Sequence, residues 1–199
     1  TTGAYNIAIG HSCLSSEDTN GRNVAIGYAA LNQLNAGADG YNVAIGMEAG
    51  YAMTTGVNNT VIGGNAGDAL TTGTNNVALG YGALGTEDTG GQNVAIGVNA
   101  LNTLNYDGNG LNVAVGYAAG ALMSTGTNNT LMGAFSGDAL TTGDYNVAIG
   151  RSALSLEDAY GYNVAVGTFA LMNQNAADNA FNVAVGYNAG AAVTTGINN

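Results

Sequence analysis

Polar and apolar positions along this chain alternate in short bursts that return at fixed intervals. The burst is a pentapeptide, Asn-[Val/Ile/Thr]-[Ala/Val/Leu]-[Ile/Val/Leu/Met]-Gly. Its leading residues are Asn6, Asn23, Asn42, Asn59, Asn76, Asn93, Asn112, Asn129, Asn146, Asn163 and Asn182, and Asn199 opens a twelfth. Side chains alternate along an extended chain, so Val24 and Ile26 share one face and Ala25 takes the other. The branched residues are expected to build the coil interior. The Ala face would then admit another backbone layer or a neighbouring chain, placing Ala25, Ala44 and Ala95 at a chain–chain contact.

The intervals between successive asparagines run 17, 19, 17, 17 and then start again, so that Asn6, Asn76 and Asn146 are equivalent. Fixed periods of this size are the mark of a stacked repeat architecture. The expectation is all-β: a β-solenoid of about twelve coils of 17–19 residues, each with room for two short strands and an outward loop. The chain reads as one array with super-repeats 1–70, 71–140 and 141–199. Because it starts and stops inside a repeat, it reads as part of a longer array. At about 4.8 Å per layer the rod would be on the order of 55 Å long.

Two positions punctuate every coil. Stacked side-chain amides, as at Asn23, Asn42, Asn93, Asn112 and Asn163, can hydrogen-bond to one another or satisfy turn backbone groups. A corner Gly closes each strand, as at Gly27, Gly46, Gly97, Gly116 and Gly167, which reads as a positive-φ turn or a tight backbone approach. Three residues later comes a small side chain, usually Ala. The next position then alternates in pairs, Leu14 and Leu31, Gly50 and Gly67, Leu84 and Leu101. Two coil designs alternating in pairs create the 70-residue unit.

Composition narrows the function classes. Gly accounts for 33 of 199 residues, Pro and Trp are absent, and 8% of residues are charged. Gly without a G-X-Y period excludes collagen. Thirteen acidic residues face two basic ones, giving a net charge of −11. There is no basic stripe for nucleic acid, and an anionic membrane surface would repel the chain. No run of apolar residues is long enough to span a bilayer, so no membrane insertion is expected within this segment. The acidic surface fits a soluble fibre. Mean hydropathy is +0.12, so a thin single roll would expose much apolar surface, which argues for self-association.

The motifs NVAIGYAAL, TTGTNNVALGYGAL and TTGVNNTVIG resemble the head repeats of trimeric autotransporter adhesins. They are more similar still to the NTAIGYxAL arrays of phage tail-fibre proteins, and the resemblance covers the whole chain. Adhesin-head coils are commonly shorter than the coils of this chain, which favours the tail-fibre type. The resemblance implies a left-handed β-roll in a parallel homotrimer, an extracellular place on a virion tail fibre or a bacterial surface, and attachment to a host receptor or glycan. The number three comes from the resemblance alone.

Candidate chemistry is sparse. With one His (His11) and one Cys (Cys13), no nucleophile–base constellation can be assembled, so no catalytic residue and no enzymatic activity is expected. Cys13 occupies the small-residue slot and gives no disulfide framework. The pairs Glu17–Asp18, Glu87–Asp88 and Glu157–Asp158, with Asp107, are weak Ca²⁺ candidates on an unspecific ligand pattern; no cofactor is otherwise indicated. As a glycosidase pair the carboxylates are implausible, since they recur with the scaffold. Ice binding is the alternative from another class, on the pairs Thr54–Thr55, Thr71–Thr72, Thr141–Thr142 and Thr194–Thr195, but coils one and two of each super-repeat lack them. The expected role is a fibre shaft or adhesin segment, with Tyr106, Tyr160 and Tyr162 as the first places to look for a ligand, because aromatic anchors dominate binding energy.

Overall fold

A computed structural model describes residues 3–17 and 21–199. Eleven strands of three residues each follow one another: β1 (Ile7–Ile9), β2 (Val24–Ile26), β3 (Val43–Ile45), β4 (Thr60–Ile62), β5 (Val77–Leu79), β6 (Val94–Ile96), β7 (Val113–Val115), β8 (Thr130–Met132), β9 (Val147–Ile149), β10 (Val164–Val166) and β11 (Val183–Val185). They form one parallel sheet in sequence order, β1 to β11. The register pairs like with like, for example Val24 with Val43, Ala25 with Ala44 and Ile26 with Ile45. Each coil therefore advances one layer, and the fold is an all-β parallel solenoid.

Two expectations change. Each coil has one strand, not two. The remaining wall is a run of turns in which non-Gly residues adopt positive φ, such as Ala29 (54°) and Leu31 (48°), a conformation no strand can accommodate. Those turns still bond layer to layer, with Leu31 N–H donating to Ala49 O at 3.0 Å and Gly50 N–H to Ala66 O at 3.0 Å.

The second change is which strand face is buried. Ala25, Ala44, Ala78, Ala95, Ala114, Ala148 and Ala165 are fully buried, while the flanking Val and Ile point outward and are half-buried. The interior is thin. Leu31, Leu34, Met53, Leu70, Leu101 and Leu104 reach in from the opposite wall, leaving space for little more than a methyl under the strand. Close packing then puts Ala inside and the branched residues outside. Ala25, Ala44 and Ala95 are core residues of their own chain, so they cannot form a chain–chain contact.

Volume compensation explains the 70-residue unit. A Cβ on Gly120 would lie 2.8 Å from Leu131 Cδ1 and 2.9 Å from Leu101 Cδ2; one on Gly137 would lie 2.8 Å from both Leu131 Cδ2 and Leu140 Cδ1. Coils with Gly at this position are filled by inner side chains of their own layer or of the adjoining layers. In every fourth coil the buried strand residue itself grows to Val61 or Leu131. Leu, Leu, Gly, Gly along one column is a packing period.

The asparagines form a continuous ladder inside the wall. Asn42 N–H donates to Asn23 Oδ1 at 3.1 Å, Asn59 N–H to Asn42 Oδ1 at 2.9 Å, and so on to Asn199 on Asn182 at 2.8 Å. From Asn23 to Asn199 the Nδ2 groups are satisfied as well. In most coils it donates to a Gly carbonyl of the next turn, as Asn59 Nδ2 to Gly73 O at 2.8 Å. Where the following coil is one of the longer ones it turns back to a Gly carbonyl just before it, as Asn93 to Gly91 O at 3.2 Å. A buried amide with every group paired stabilises the layer it joins.

Candidate functional site

The outward strand residues form two apolar columns that run the length of the rod. One holds Val24, Val43, Val77, Val94 and their counterparts, the other Ile26, Ile45, Ile62, Ile96 and theirs. Larger apolar residues border them on the corner side: Tyr28, Met47, Tyr81 and Tyr117 are all more than half exposed. On the other border Arg22 lies between the rings of Tyr5 and Tyr41, at 5.0 and 5.6 Å, while its Nε donates to Asp39 Oδ2 at 2.6 Å. Farther along that border Tyr162 stacks between Tyr145 (5.1 Å) and Phe181 (5.0 Å). At about 4.8 Å per layer the two strand columns run about 50 Å and stand about 7 Å apart, while the bordering columns are mixed, with Asn58, Asn75, Gln92 and Asn128 on one side and His11, Arg151 and Thr168 on the other. The continuous apolar part of this face is the pair of strand columns.

The three tyrosines singled out from the sequence do not converge. Tyr162 belongs to the aromatic stack at the border of the strand face. Tyr106 lies in the longer coil between β6 and β7, where its N–H approaches Glu87 Oε2 at 3.4 Å. Tyr160 precedes β10, and its carbonyl accepts from Asn146 Nδ2 at 3.2 Å.

The acidic pairs split. Glu87 and Glu157 are fully buried and Glu17 nearly so, while Asp158 is exposed; Asp18 lies outside the described residues. The glutamates occupy the inner column seven residues after the corner Gly, where other coils hold Leu34, Met53 and Leu70. Glu87 Oε1 accepts from Gly90 N–H at 2.8 Å, so the carboxyl closes a turn. Burial pushes its pKa up to about 7; the N–H groups of Gly90 and Tyr106 hold it back, and Asp88 adds to the rise. Glu157 is raised by burial too, against donors from Ala176, Gln174 and Tyr160. Gln174 takes the same inner column one coil later and joins Glu157 Oε2 (3.1 Å) to Asn163 Oδ1 (2.9 Å). On the surface Thr89 Oγ1 donates to Asp107 Oδ1 at 2.8 Å. No three His, Cys, Asp or Glu side chains converge on a metal position among the described residues. This inner polar column was missed from the sequence, although its constant offset from the corner Gly was there to be read.

His11 stacks on Tyr28 at 5.6 Å, and its Nδ1 is 2.9 Å from Ser12 Oγ. The hydroxyls of Thr54, Thr71 and Thr141 donate to carbonyls of the following coil, at 3.2, 2.9 and 2.8 Å. They brace layers and offer no continuous hydroxyl ladder to solvent. No helix is long and apolar enough to cross a membrane among the described residues. Comparison with known protein families, with curated proteins and with solved structures finds no match.

Proposed function

We propose that this chain is a stiff, non-catalytic shaft segment of an extracellular fibre, a virion tail fibre or a cell-surface adhesin. Three parallel copies pack through their Val/Ile strand faces. The observation that carries the reading is the rod-long apolar face. The Val and Ile of this strip are half-buried in the single chain, and packing copies against one another would complete their burial along the rod. The number three and the setting come from the resemblance to tail-fibre and adhesin-head repeats.

Parallel, in-register assembly has support in the columns themselves. Thr60 and Thr130 interrupt the outer Val column, one in each of the first two super-repeats. In register, Thr meets Thr about the axis and Val meets Val; a shift by one coil sets each Thr hydroxyl against a branched apolar group. Such marks fix register at small cost in stability.

Light scattering on the purified segment is the direct test. The expected mass is three times the chain mass of 19.6 kDa. Ile26→Lys with Ile96→Lys, outward on the same column, is expected to give a folded monomer. A soluble wild-type monomer at micromolar concentration rules the assembly out.

A further inference from the structure

The wall beyond the strand face has a notch at the β5 layer. Two outward columns run there, two and five residues after each corner Gly. At the β5 layer both positions are glycine, Gly82 and Gly85. The layer before carries Asn65 and Asp68, and the layer after carries Asn99 and Asn102. The flanking layers are thus about 10 Å apart across the gap. The result is a surface slot of about 270 Å³, walled by these side chains and closed by Tyr81 and Thr86. None of its lining residues belongs to a strand.

The glycines are not demanded by the backbone. Gly82 has φ 61°, and at the same position Ser12 (56°), Ala29 (54°), Asn99 (56°) and Ser152 (52°) hold that conformation with a side chain. In the first and third super-repeats the pair is Ser12 and Ser15, then Ser152 and Ser155. The layer without side chains therefore belongs to the middle super-repeat and breaks the 70-residue pattern, and the next layer leans toward it: a Cβ on Gly82 would lie 2.7 Å from Asn99 Oδ1 and one on Gly85 2.9 Å from Asn102 Nδ2.

We infer that this slot binds a neutral pyranose unit of a glycan. Tyr81 is 59% exposed and offers a ring face to the apolar face of a sugar. The polar groups beside it are amides, a hydroxyl and one carboxylate, the donors and acceptors that pair with adjacent sugar hydroxyls. They are held in place beforehand. Asn65 Nδ2 donates to Glu48 Oε2 at 3.2 Å and to Asp68 Oδ2 at 3.3 Å; Asn102 Nδ2 donates to Gly82 O at 2.8 Å. Fixed polar groups around an open space lower the ordering cost of binding.

Other ligand classes fit worse. No Lys or Arg lines the slot, and a chain of net charge −11 repels phosphate, sulfated and sialylated ligands. One carboxylate in the lining is too few for a cation held by protein oxygens. The polar walls disfavour an apolar ligand. The inference deepens the attachment reading, on which its biological purpose rests, by naming the class of surface molecule recognised.

Saturation-transfer NMR and calorimetry with glucose, galactose, mannose and N-acetylglucosamine test it, with glucuronate and inorganic phosphate as anionic controls. The expected result is binding of at least one neutral sugar with a Kd on the order of 1 mM. Gly82→Ser/Gly85→Ser, residues that the same positions hold in the other super-repeats, is expected to weaken binding at least tenfold while circular dichroism is unchanged. Tyr81→Ala, which reproduces Ala134 of the same column, is expected to do likewise. Absence of binding by all four sugars, undiminished binding by the double Ser variant, or preference for an anion overturns the site. A trimer that binds no sugar removes the site and leaves the fibre; a monomer that binds sugar removes the fibre and leaves the site.

Discussion

At the corner after β6, a Cβ on Gly97 would lie 2.3 Å from the carbonyl oxygen of Gly116 in the next layer, and the backbone there has φ 136°. Both facts exclude a side chain, since the conformation is restricted to glycine and the space is taken by backbone, which cannot swing aside. Gly97→Ala is expected to destabilise by about 2–4 kcal/mol, read as a fall in the denaturation midpoint; Gly82→Ala, where φ is 61° and the obstructing atom is Asn99 Oδ1 at the end of a side chain that can swing aside, is expected to cost less, about 1 kcal/mol. The corner role of Gly97 was legible because a residue without Cβ recurs at one offset. The buried carboxyl of Glu87 was not, because a Glu-Asp pair reads as solvated wherever it occurs. Its folded pKa of about 7 lies above the ordinary 4.5, so folding favours the protonated form. That contribution is complete below pH 4.5 and is lost as pH rises through 7, on the order of 2 kcal/mol. Glu87→Gln is expected to flatten stability between pH 4.5 and 7 and to raise it above that range, measured by chemical denaturation at each pH. Gln174 already occupies the same column, so the amide has a precedent there.

At the scale of the element, the Val-Ala-Ile alternation states that two faces differ without stating which is buried. The rule that larger apolar residues go inside holds for a sheet packed on a thick layer. Here the opposite wall is the other side of the same thin coil and already sends Leu101 and Leu104 inward, so the strand has room for Ala95 alone. The fourth coil shows the alternative, where a bulky Leu131 is paired with Gly137. This exchange can be tested in the β6 coil. Ala95→Leu alone overpacks the layer and is expected to destabilise by about 1–3 kcal/mol. Adding Leu101→Gly makes room and also removes a leucine held at φ 47°, so the double variant is expected to recover at least half of the loss in thermal denaturation. A double variant less stable than Ala95→Leu would mean that interior volume is not what couples the two columns. The single strand per coil was hidden for a related reason: the sequence between corner Gly and Asn contains no Pro, and nothing in it announces that Ala29 or Leu31 turns left-handed.

At the scale of the molecule, each layer bonds only to the layers beside it, so stability is expected to add layer by layer. Deleting residues 71–140 joins Leu70 to Thr141, the same step as the native Leu140–Thr141. The new neighbours match column by column. Thr71 N–H and Oγ1 donate to Asp88 O in the native chain, and Thr141 makes the same two bonds to Asp158 O; the inner columns keep Leu70 in place of Leu140. Corner Gly63 would lie against Gly150 as Gly133 does now. The shortened chain is therefore expected to fold, to keep its circular dichroism, and to assemble through a strand face four layers shorter, or about 19 Å. It loses Tyr81, Gly82, Gly85, Asn99 and Asn102, and in their place Asn65 and Asp68 face Arg151, Ser152 and Ser155. A passive shaft bearing one glycan slot thus predicts a trimer that no longer binds neutral sugar. Sugar binding retained by the deletion variant would place recognition elsewhere on the rod, and loss of folding would show that the super-repeats are not interchangeable units.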